Sequence, residues 1–169
     1  MTKRKRHFLA FVAAFIFFVA VWNVFFETAW VDEESTSMMP VLYPLDSFLT
    51  LRHAPISRHC IIVLDDPKNP GVTLIKRVVG LPGETIQMRH GRMFINNAPI
   101  SEPYMGDAYR SQETEPALMQ LRIPDGHYYV LGDNRNFSRD SREFGPVDKN
   151  IIRGRVIAVI APRENRKIF

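Results

Sequence analysis

Nineteen consecutive residues without a charge, FLAFVAAFIFFVAVWNVFF from Phe8 to Phe26, dominate the start of the chain. Wound as an α-helix, such a run extends about 28 Å, close to the hydrocarbon thickness of a bilayer. No polar stripe interrupts it, which predicts a transmembrane helix over 8–26 rather than the buried helix of a soluble core. The run is longer than the roughly 7–15 residue core of a secretory signal, and no small-x-small site follows, so an uncleaved anchor is expected. Trp22 and Trp30 bracket its outer end, as interfacial aromatics do.

Beyond Trp30 the periodicity changes. Short β-type runs follow at SFLTLR (47–52), CIIVLDD (60–66), VTLIKRVV (72–79), TIQMR (85–89), RMFIN (92–96), HYYVLG (127–132) and RVIAVI (155–160). Turn signals such as DPKNPG, GLPGE and NNAP separate them. With no long helical period after residue 30, the fold class expected is mainly β: a transmembrane helix followed by a β-rich domain. Residues 103–122 are polar and are expected to form a surface excursion.

Charge sharpens this picture. The 169 residues carry a formal charge of +4, but Lys3, Arg4, Lys5 and Arg6 supply four of the 22 basic residues. Past His7, 18 basic residues face 18 acidic ones, so the domain lacks the basic footprint of a nucleic-acid binder. The cluster instead predicts a cytoplasmic tail over 1–7, with residues 27–169 forming an extracytoplasmic domain. Cys60, the single cysteine, excludes an internal disulfide, and its CIIVL context predicts an inert core thiol.

Candidate chemistry is sparse. The histidines at 7, 53, 59, 90 and 127 lack metal-ligand spacing, so no metal is expected. DNRNFSRD fails as a calcium loop because Arg135 and Phe137 would occupy ligand positions. Serine and lysine remain. A lysine serves as base only when neutral, which requires a shift of over three units, or roughly 4–5 kcal/mol, of the kind desolvation supplies. Lys76 is the candidate, inside the apolar strand VTLIKRVVGL. Alternation puts it on one face with Leu74 and Val78, while Arg77 points away with Ile75 and Val79. A solvated lysine on an edge strand is the competing reading, and SMMP (37–40) alone is an ordinary loop.

Together, SMMP after an anchor, then KRVVGLPGE, then GDNRNFSRDSREFGPV, resemble the three ordered boxes of the bacterial type I signal peptidase family in its compact, single-anchor, Gram-positive form. The likeness covers nearly all of residues 35–160. It implies a catalytic β fold shared with LexA-type self-cleaving repressors, a Ser/Lys dyad and no cofactor. By matching positions, Ser37 would be the nucleophile and Lys76 the general base. Ser35 would join the Ser37 backbone N–H in an oxyanion hole, Ser138 would orient the lysine, and Asp140 and Arg142 would form a structural ion pair. Met38, Leu42 and Ile75 are expected to line the substrate pocket. Two features depart from the family pattern: the acidic approach Asp32, Glu33 and Glu34, and Val41 where threonine is common.

The expected activity is removal of N-terminal signal peptides from exported preproteins with small residues before the cut. The partners expected are those preproteins and the lipid bilayer, with no nucleic acid. The protein is expected to be a single-pass monomer of the cytoplasmic (inner) membrane. Two rival readings are a relative dedicated to one exported substrate, such as a pilin or conjugation protein, and an inactive membrane-anchored binding domain.

Overall fold

A computed structural model describes residues 3–109 and 120–161. Helix α1 (Lys3–Phe25) has no buried residue and is apolar all round after its basic first turns. At 1.5 Å per residue its 23 residues extend about 35 Å. It starts within the expected 1–7 tail and stops one residue before the expected end. Phe26 already belongs to strand β1 (Phe26–Trp30), which the sequence pattern did not announce because FETAW joins the apolar run without a turn residue.

All seven expected strands form: β2 (Ser47–Leu51), β3 (Ile61–Asp65), β4 (Thr73–Gly80), β5 (Thr85–Arg89), β6 (Arg92–Ile95), β9 (His127–Leu131) and β11 (Ile152–Ala161). Two-residue strands add β7 (Ala98–Pro99), β8 (Leu121–Arg122) and β10 (Val147–Asp148). A 3-10 turn (Arg135–Phe137) and a short α-helix, α2 (Ser141–Phe144), stand between β9 and β10. A seven-stranded sheet runs β1-β2-β11-β3-β4-β9-β10 and a four-stranded sheet β7-β6-β5-β8. The chain is therefore mainly β, with an apolar N-terminal helix. Every pairing is antiparallel, so the strands connect through turns and short loops.

Strand β4 links the core clusters. Leu74 and Val78 pack with Ile62 and Leu64 on one side, and Ile75 packs toward Met38, Leu42, Phe48 and Val63. Val79 joins Ile86, Met93 and Tyr129 beneath the smaller sheet. Cys60 is buried as expected. The expected surface excursion at 103–122 is only partly described, residues 110–119 lying outside. Its described ends differ from expectation: Met105 is buried, and Leu121–Arg122 pairs with β5.

Candidate active site

Lys76 and Ser37 lie 39 positions apart in sequence, and the fold puts Lys76 Nζ 2.9 Å from Ser37 Oγ, in donor position. Strand β4 delivers the amine. Paired with Ile62 on β3, Lys76 is only 3% exposed, which rules out the solvated-edge reading. Its other hydrogen bond goes to the Ile75 carbonyl at 2.9 Å. Burial depresses the amine to about 8, and the carboxylates of Asp140 and Asp133 oppose that shift without cancelling it.

The serine comes from a tight turn anchored by its neighbours. Met38 and Leu42 are buried in the cluster below, and the Leu42 N–H donates to the Met38 carbonyl at 2.9 Å. Both had been expected to wall the substrate pocket. Instead they face inward and pin the turn, leaving the half-buried Ser37 side chain outside the apolar cluster. Asn134 holds the same turn from the opposite side. Its backbone N–H donates to the Ser37 carbonyl at 3.0 Å, and its side-chain amide donates to the Thr36 carbonyl at 3.2 Å.

A groove of about 600 Å³ runs beside the pair, with Ser35, Ser37, Ile75 and Lys76 in its lining. Of the three expected pocket residues, Ile75 alone lines it. Ala29, Trp30 and Asp32 contribute from β1 and the segment after it, Gly71 to Leu74 from the turn before β4 and its start, Phe48 from β2 and Val63 from β3. The acidic approach to Ser37 therefore reaches the groove through Asp32. On β4, residues 73–76 pair with β3 on one side only, because β9 joins at Arg77. Strand β1 likewise has β2 as its single strand partner among the described residues.

Asp140 and Arg142 do more than pair. Asp140 is fully buried, caps α2 by accepting the Arg142 N–H, and receives the Gly132 N–H at 3.0 Å. The Arg142 guanidinium bonds both carboxylate oxygens, at 2.9 and 3.0 Å, and reaches the carbonyls of Arg135 and Ser138. Ser138 Oγ is buried with no hydrogen-bond partner among the described residues, so the second contact of the amine is Ile75 rather than this expected orienting hydroxyl. Gly132 explains how close the segments come. A Cβ there would collide with the Ser138 side chain and lie 2.6 Å from the Ser37 carbonyl oxygen, so only glycine fits.

Two buried ion pairs escaped the sequence reading. Arg77 grips Asp133 through two bonds of 2.7 and 2.6 Å, also donates to the His59 carbonyl, and has the Tyr104 ring 3.9 Å from its guanidinium carbon. Arg135 pairs with Glu102, and Tyr104 OH donates to that same carboxylate at 2.9 Å. The signal was available, since Arg77, Asp133 and Arg135 lie within the boxes KRVVG and GDNR, but nothing local connects them to Glu102.

A hydroxyl hydrogen-bonded to a desolvated amine at the edge of an open groove can be activated as a nucleophile when the amine is neutral. Comparison with known proteins makes the class specific. The family described as signal peptidase, peptidase S26, matches residues 4–161. Signal peptidase I of Bacillus licheniformis is 35% identical over 130 residues, covering 72% of this chain and 70% of that protein. Signal peptidase I V of Bacillus subtilis is 33% identical over 168 residues, 89% and 95% of the two chains. A crystal structure of a signal peptidase I from Enterococcus faecalis superposes with a TM-score of 0.54 at 33% identity, covering 62% of this chain and 98% of that one. The chain belongs to the signal peptidase S26 family. Membership makes it a serine peptidase of the kind that cleaves signal peptides, and α1 is its candidate membrane anchor.

Proposed function

We propose that the protein removes signal peptides with a Ser37/Lys76 dyad. The observation that carries this reading is the 2.9 Å contact between a buried, weakened amine and the hydroxyl beside the groove. Neutral Lys76 takes the Ser37 proton as Oγ attacks the scissile carbonyl, then passes it to the leaving amine. Water releases the acyl group in a second step assisted by the same base. The Ser37 N–H and the Ser35 hydroxyl stabilise the oxyanion, two donors together worth several kcal/mol. Ser138, buried without a competing partner beside Gly132, is the hydroxyl available to hold the amine in line during turnover. Asp140 and Arg142 keep that segment in place.

The substrate lies extended between β1 and the unpaired edge of β4, exchanging backbone hydrogen bonds with both. Its small side chains before the cut enter the groove around Ile75. The basic first turns of α1 stay cytoplasmic, and the β domain faces outward beside the bilayer. A dedicated exported substrate is the second reading. Asp32 favours it, because a carboxylate in the groove lining suits a basic residue upstream of the cut. Complementation of cells depleted of their general signal peptidase separates the two readings.

The direct test is cleavage of a purified preprotein by the full chain in detergent. The native protein releases the mature product, and Ser37→Ala releases none. Undiminished cleavage by Ser37→Ala would remove the nucleophile assignment.

A further inference from the structure

The turn leading into the free edge of β4 rests on one carboxylate. Of residues 66–73, Asp66 alone is buried, and Pro67 to Thr73 are all exposed. Asp66 organises the turn from within: it accepts the backbone N–H groups of Lys68 at 2.8 Å and Asn69 at 3.2 Å, and the Asn69 amide at 2.9 Å. Its remaining contact leaves the turn altogether. Arg139, between Ser138 and the buried Asp140, lays its guanidinium on the Asp66 carboxylate, whose side chain is fully covered. Arg139 also lies 3.9 Å from the Glu143 carboxylate, with the Phe144 ring 5.8 Å from its guanidinium carbon, and it lines the groove.

We propose that the Arg139–Asp66 bridge is a positioning clamp, holding the substrate-pairing edge of β4 in register with the segment that carries Ser138. This rests on the peptidase reading. Without the bridge, residues 71–75 are held by β3 and the turn's own hydrogen bonds, while the Ser138 segment is held separately by Asp140 and Arg142. An incoming strand on the β4 edge also passes Arg139, which lines the groove, and a groove loosened by a fraction of an ångström binds it less well. The dyad is held by Asn134, Met38 and Ile62, and Ser138 by Asp140 and Arg142, so neither depends on the bridge. Loss of the clamp therefore falls on substrate binding rather than on the chemical step.

The test uses Asp66→Asn, which keeps an oxygen for the Lys68 and Asn69 N–H groups, together with Arg139→Gln, Arg139→Lys and the Asn/Gln double variant. All are made in the full chain in detergent and assayed on a peptide spanning the cleavage site and several upstream residues. Each neutral single variant should raise KM about tenfold with kcat within about threefold. The double variant should cost no more than either single, and Arg139→Lys should stay near native. Amide exchange over residues 71–75 should quicken in Asp66→Asn, a readout that needs no turnover. Unchanged KM and exchange, a kcat loss at constant KM, or multiplying effects in the double variant would overturn the clamp alone. A native chain that cuts no such peptide would overturn the peptidase reading and the clamp with it.

Discussion

Lys76 carries a charge by default, and its surroundings in this fold act against that charge. Folding lowers the amine from 10.5 to about 8, chiefly by desolvation. Below pH 8 both folded and unfolded chains hold the proton, and burial of the ammonium costs its full amount, about 3 kcal/mol for a shift of this size. Between 8 and 10.5 the folded chain releases the proton while the unfolded chain keeps it, so stability rises with pH across that window. Above 10.5 both are neutral and the penalty is gone. Lys76→Met should therefore abolish cleavage yet stabilise the domain at pH 7 by roughly 1–3 kcal/mol, with a flatter pH dependence, read by thermal unfolding in detergent. A Lys76→Met protein melting below the native one at pH 7 would mean that the amine is not under strain. The Ser37, Lys76 and Asp140 positions were legible because they fall in ordered boxes. The inward turn of Met38 and Leu42 was not, because so short a turn has no periodicity from which to read a face.

The strands were the legible elements. Alternation and turn residues mark seven of them, whereas β7, β8 and β10 are two residues long and carry no period to detect. Strand β1 was hidden by its join to α1, although it forms one wall of the groove. The ion pairs Arg77–Asp133 and Arg135–Glu102 connect residues 56 and 33 positions apart, and pairing at that range is decided by tertiary packing. Between elements, one tight joint is at Gly132, which follows β9 and lies against both Ser37 and Ser138. Gly132→Ala would force these apart. It should cost stability by about 1–3 kcal/mol and reduce kcat by at least about tenfold, measured by denaturant unfolding and peptide cleavage. A Gly132→Ala chain with native kcat would show that this contact yields without disturbing the dyad.

For the molecule as a whole, an exposed apolar helix runs directly into a groove wall, so the groove lies close to the end of the candidate membrane anchor. The Arg52 N–H donates to the Phe25 carbonyl at 2.8 Å, and Arg52 pairs with Glu27 at 3.1 Å, so the end of the helix is fastened to the β domain. The orientation expected from Lys3 to Arg6 can be tested with one engineered thiol, because the native Cys60 is buried. Lys68→Cys, in the exposed turn before β4, should react with a membrane-impermeant maleimide in intact spheroplasts. Labelling that requires lysis would put the domain on the cytoplasmic side and contradict the assigned direction.

The central claim, that neutral Lys76 is the base for Ser37, is tested most directly by the pH dependence of kcat/KM on a signal-peptide substrate. The rate should rise through a midpoint near 8 as the amine loses its proton, and a Lys76→Ala variant should be inactive at every pH. A Lys76→Ala protein retaining the native rate and the same midpoint would contradict it.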